Sequence, residues 1–92
     1  MKFIVTFEFN PQGRNESIAR FLATGGPTPA GTTLLGRWTA ADFSGGFVLV
    51  ESDDVKSLTE FALGWTDQIV LKTIPVIEDA ELGGLLQRLF PR

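Results

Sequence analysis

The chain has 92 residues and a formal net charge of −3, with acids and bases interspersed along it. No basic patch offers itself to a nucleic acid, and no apolar run approaches the ~18 residues that cross a membrane. Cysteine, histidine and tyrosine are all absent, so disulfides, thiolate or imidazole metal ligands and thiol, imidazole or phenol catalysis are excluded, and no cofactor is expected.

An apolar fraction of 43% predicts a globular chain rather than a disordered one. Its length predicts one domain over residues 1–92. The opening MKFIVTFEF resembles a signal sequence only superficially. Thr6 and Glu8 interrupt its apolar run and no small-residue cleavage site follows, so it reads as a strand of a cytoplasmic protein.

That strand covers residues 2–9, rich in aromatic and β-branched side chains and closed by Asn10-Pro11. Asn10 or the polar residues after it are expected to cap a helix whose apolar positions are Ile18, Phe21 and Leu22. Gly25-Gly26-Pro27 stops that helix and opens the loop GGPTPAG. Two further strands are predicted, over 32–39 and 46–52, joined as a hairpin through a turn containing Asp42, Ser44 and Gly45.

Ser52 or Asp53 is expected to begin a second helix, with Asp54 in its first turn, where the helix dipole favours an anion. Its apolar stripe is Val55, Leu58, Phe61, Ala62 and Trp65. A fourth strand is predicted over 69–77, and Pro75 places it at a sheet edge because proline cannot donate to a ladder. Leu82, Leu85, Leu86 and Leu89 then mark a short third helix, although Gly83-Gly84 inside it costs up to ~2 kcal/mol against alanines.

The order β-α-β-β-α-β plus a C-terminal helix predicts an α+β, ferredoxin-like antiparallel sheet with helices on one face. Strands one and three would be central. Period-two alternation assigns Phe3, Val5, Phe7, Phe9, Leu34, Gly36, Trp38, Val48, Val50, Ile69, Leu71 and Ile77 to the face under the helices. The other face receives Ile4, Thr6, Glu8, Leu35, Arg37, Thr39, Phe47, Leu49, Glu51, Val70, Lys72, Ile74 and Val76. Its apolar members would form a patch larger than monomers expose. A second copy of the chain is the simplest cover, with the C-terminal helix as the competing lid.

The segments 1–6 (MKFIVT), 20–31 (RFLATGGPTPAG), 34–38 (LLGRW), 46–51 (GFVLVE) and 73–76 (TIPV) resemble a family of small domains of unknown function that carry the same pattern. The resemblance implies a ferredoxin-like domain of the dimeric α+β-barrel kind with no established activity. Relatives of that pattern often have histidine just after GRW. Thr39 stands there in this chain, so any role of that histidine is not shared.

The candidate ligand-binding residues are Glu8, Arg37, Trp38, Glu51 and Lys72. Arg37 offers a planar fork of donors for an anion or carboxylate, with Trp38 and the GGPTPAG loop as walls. The plainer reading pairs Arg37 with Glu8 or Glu51, and Glu51 with Lys72, neutralising charges on one sheet face. Glu8 and Glu51, on the expected inner face, are also candidates for a general base in an apolar barrel. Besides a stress or regulatory interaction partner for another protein, two functions remain open. One is a homodimer, associated through the second sheet face, that binds a small organic ligand or serves as an accessory module. The other is a cofactor-independent enzyme, monooxygenase- or isomerase-like. The chemistry leans away from catalysis, and neither a nucleic acid nor a membrane is expected as partner.

Overall fold

Alternating side chains build four strands and longer apolar spacings build three helices, in the order β1 (Lys2–Phe9), α1 (Arg14–Thr24), β2 (Thr32–Thr39), β3 (Gly45–Ser52), α2 (Val55–Leu63), β4 (Ile69–Val76) and α3 (Asp79–Leu89). The computed structural model describes residues 1–91. The strands form one antiparallel sheet in the order β2-β3-β1-β4, so the α+β ferredoxin-like topology stands, with β1 and β3 central and Pro75 on an edge strand. No helix among the described residues is long and apolar enough to cross a membrane.

Register follows the hydrophobic pattern in the central strands. Phe3 lies opposite Val50 and Val5 opposite Val48, which puts the apolar set of both strands on the helical side. There they meet Leu58 and Phe61 of α2, and these six residues are the buried core. Val55, expected in that stripe, is exposed instead. The helix begins at Val55 itself, with Asp54 as the cap accepting from the Lys56 N–H at 3.0 Å. Ser52 occupies itself with the Asp54 N–H and the Gly31 carbonyl. Its hydroxyl joins those of Thr32 and Ser57 in a buried knot that ties the start of β2 to the end of β3 and to α2.

The edge strand β2 departs from simple alternation. Leu34 pairs with Val50, but Gly36 pairs with Leu49, so one extra residue sits between them as a bulge. Every side chain beyond it changes face. Arg37 and Thr39 therefore lie on the helical side, and Gly36 and Trp38 on the open side, the reverse of the sequence assignment. Gly36 does not admit a helix. A Cβ there would fall 2.4 Å from the Trp38 ring, which lies over it beside Phe47 at 5.0 Å between centroids.

The helical layer is lopsided. On α2, Leu58 and Phe61 are buried, whereas the one buried residue of α1 is Ser17. Ile18, Phe21 and Leu22 of α1 keep 36%, 44% and 78% of their surface exposed. Asn10 does not cap α1; it closes the preceding turn on the Gln12 N–H, and Gly13 occupies the cap position without a side-chain bond. The strand β4 stops at Val76, leaving Ile77 exposed, and α3 buries no residue at all.

Leu58→Ala should cost about 2–5 kcal/mol, as core truncations do, and Leu22→Ala should fall within about 0.5 kcal/mol of wild type. Urea midpoints at unchanged slope measure both. Equal costs would mean that α1 packs on the sheet as tightly as α2.

Candidate functional site

The imbalance between the two helices leaves a cavity of about 290 Å³ between α1 and the sheet. Its floor is the helical face of β1 and β4, with Phe7, Phe9, Ile69 and Leu71. Ile18, Phe21 and Leu22 of α1 form one wall, and Phe61, Trp65 and Phe43 close the others. The volume lies at the low end of the ~300–1,000 Å³ usual for small-molecule sites.

Polar links, not packing, hold α1 above this floor. Arg20 donates to both carboxylate oxygens of Asp67 at 2.8 Å and to the Gly64 carbonyl at 2.8 Å, and its guanidinium lies 5.3 Å from the Trp65 ring centroid. Gln68 donates to Glu16 at 2.9 Å. Both links run from α1 to the turn between α2 and β4. They hold the helix against that turn and leave its apolar residues only partly packed. The Asp67 carboxyl is held below the usual carboxylate range, first by the Arg20 hydrogen bonds, and Arg20 is raised by the same bonds.

Arg37 closes the opposite rim. Its Nη1 donates to the Gly26 carbonyl at 2.7 Å and its Nη2 to the Gly25 carbonyl at 2.9 Å, while its Cζ lies 4.9 Å from the Phe21 ring centroid. Gly26 has to be glycine twice over. Its φ is 57°, and a Cβ there would sit 2.8 Å from Arg37 Nη1. Among the described residues Arg37 forms no ion pair. Partial burial lowers its pKa with no acid to oppose the shift. A second polar group lines the cavity. Ser17 is 3% exposed and its Oγ has no hydrogen-bond partner among the described residues, an arrangement that costs about 1–3 kcal/mol.

Phe43 is held with φ at 60°, a left-handed conformation that costs an ordinary residue about 1–2 kcal/mol. Its ring stacks on Phe9, with centroids 4.4 Å apart and planes 2° from parallel. The turn between β2 and β3 thus carries strain that sets one aromatic wall of the cavity.

The structure separates the five residues singled out from the sequence. Arg37 alone reaches this cavity. Glu8 and Lys72 share a shallow depression of about 300 Å³ on the far side of the sheet. Trp38 is on that open side with Phe47. Glu51 accepts from the Met1 amine at 2.9 Å, at the other end of the strand from Glu8. The Glu8–Arg37 and Glu51–Lys72 pairs are not formed. The bulge carries Arg37 through to the other face, and Glu51 is taken by the chain's own amine.

Sequence reasoning missed Ser17 and Phe43 and placed Trp65 on a helix. The helix ends at Leu63, and Trp65 lies in the turn that follows. The Ile18-Phe21-Leu22 spacing was the one available signal for the α1 wall. No local pattern announces a phenylalanine with positive φ.

Compared with known families, the chain matches the Domain of unknown function (DUF3303) over residues 1–90, and it belongs to that family. No curated protein and no solved structure matches it.

The Arg20–Asp67 link carries a pH signature. A carboxyl whose folded pKa is depressed stabilises the fold above its unfolded value, about 3.9, and that stability is lost as pH falls through the folded value. Asp67→Asn should therefore lower the urea midpoint near neutrality, with the gap to wild type closing below about pH 4. A gap independent of pH would show that the pair does not hold α1 in place.

Proposed function

We propose that this DUF3303 protein is a small-molecule-binding module whose ligand lies between α1 and the sheet, and that it works as a homodimer joined through the open sheet face. The observation that carries the binding reading is the cavity itself. A helix whose spacing is built to bury Ile18, Phe21 and Leu22 leaves them half-packed around an apolar space. An apolar guest would complete that packing and recover the contacts the wall lacks.

Binding is favoured over catalysis by what lines the space. Among the described residues the cavity is lined by no carboxylate and no lysine, and its polar side chains are Arg37, Ser17 and Thr39. None of these is a practical general base, because arginine stays protonated and neither hydroxyl has a base to activate it. Glu8 and Glu51, the candidate bases, are on strand positions of the opposite face.

A separate observation supports self-association. On the open face Trp38, Phe47, Val70 and Ile74 are 50%, 45%, 56% and 46% exposed. The competing lid, α3, buries none of its own residues and leaves these four uncovered. In a two-fold contact, a residue of one copy meets its counterpart's neighbour reciprocally. Glu8 and Lys72, both exposed and unpaired with each other, supply the opposite charges for such a contact.

Octanol serves as a neutral probe of the cavity. In a Trp38→Phe variant, whose remaining tryptophan is Trp65, octanol should shift the fluorescence saturably with a stoichiometry near one per chain. A linear or absent response would refute the binding reading. For the dimer, sedimentation velocity should give twice the chain mass for wild type and a folded monomer for Ile74→Glu. Wild type that stays monomeric at high micromolar concentration would overturn self-association.

A further inference from the structure

We infer that the cavity between α1 and the sheet selects an apolar carboxylic acid, its hydrocarbon part among the phenylalanines and its carboxylate on Arg37. This inference rests on the cavity-binding reading and adds the chemical class of the ligand.

The charge at the rim is the starting point. A guanidinium has five N–H donors, and Arg37 gives one each to the carbonyls of Gly25 and Gly26, which leaves three with no acceptor among the described residues. Those carbonyls and the Phe21 ring fix the plane of the group, but none of them neutralises it. A buried or half-buried arginine in a folded protein ordinarily faces a carboxylate. The other arginine packed on a wall of this cavity does so, since Arg20 donates to both oxygens of Asp67. Arg37 is the exception, and the space it borders is otherwise apolar.

The rest of the cavity narrows the class. Its walls carry five phenylalanines and Trp65, which accept rings or a hydrocarbon chain and exclude a polyol or a sugar. Among the described residues, Arg37 is the one cation in the lining, with no lysine or second arginine beside it there. A doubly charged phosphate monoester would want more positive charge, whereas one guanidinium fork matches one planar carboxylate. Ser17, buried with an unpartnered hydroxyl, adds a second polar group within the same lining. Together they describe a guest with one anionic end and an apolar body.

Octanoate and octanol share a chain and differ in the end group, so isothermal titration of both into wild type separates the two ideas. We expect octanoate to bind about tenfold or more tightly than octanol at neutral pH, the discrimination of one charge-assisted contact. Arg37→Gln should abolish or reverse that preference, because a carboxylate entering an apolar space without a cation is penalised. The readout in that variant is the ratio of the octanoate and octanol affinities, which a general disturbance of the cavity would leave unchanged. Arg37→Lys, which keeps the charge, should retain part of the preference and decides the matter if the glutamine variant does not fold.

Octanol binding without any advantage for octanoate would overturn the inference and leave the cavity reading standing. A preference that survives Arg37→Gln would also overturn it, since the anion would then be held elsewhere. Failure of both probes to bind would remove the cavity reading and the inference with it.

Discussion

A single extra residue in β2, between Leu34 and Gly36, decides which side of the sheet receives a guanidinium. Because side chains alternate along a strand, one inserted residue turns every later side chain to the opposite face. Arg37 is thereby brought under α1, where it holds the carbonyls of Gly25 and Gly26 and stacks on Phe21. Trp38 is sent the other way, onto Gly36 and Phe47. Without the bulge the charge would lie among the apolar residues of the open face, and the cavity would have a rim with no charge on it. The loop after α1 would also lose the contact that fixes its end.

The two helices over the sheet are held by different forces. Burial of Leu58 and Phe61 against β1 and β3 is the main hydrophobic anchor, each fully buried side chain contributing about 1.5–3 kcal/mol. The first helix instead depends on directed polar contacts, from Arg20 to Asp67 and Gly64 on one side and from its outgoing loop to Arg37 on the other. Exposed ion pairs alone contribute little, about 0–1 kcal/mol. Their geometry matters more here than their strength. They hold α1 to the neighbouring turn and to Arg37 while its apolar residues stay only partly packed. This is also the part of the fold most open to local rearrangement, since few buried apolar contacts resist it.

Opposite faces of the same strands therefore present opposite problems. Beneath α1, Phe7 and Phe9 line an apolar cavity. On the other side, Ile4, Phe47 and Ile74 belong to an apolar surface that lacks a cover. The helix α3, with Leu82, Leu85, Leu86 and Leu89 along it, resolves neither, because none of its residues is buried. The protein's chemistry is limited in the same divided way. Among the described residues no carboxylate lines the cavity and Arg37 is at its rim, which suits recognition of an anion better than transfer of a proton.

Much of the architecture was legible in the sequence. The alternation of Phe3, Val5 and Phe7 with Ile4, Thr6 and Glu8, the helical spacing of Leu58 and Phe61, and the proline in β4 each reflect a constraint that acts within a few residues. Those constraints are enough to order the strands and choose the core side of β1, β3 and β4. Leu82 to Leu89 were even sufficient to outweigh Gly83-Gly84. The site was much less legible. Whether β2 carries a bulge depends on its pairing with β3, which no period within β2 records. Whether Ser17 finds a partner, whether Phe43 accepts a positive φ and whether α1 sinks onto the sheet are settled by contacts between residues far apart in the chain. Sequence alone thus determined the layers and their order. The tertiary structure decided where Arg37 points and what space it borders, because both depend on register and packing between elements rather than on the pattern within any one of them.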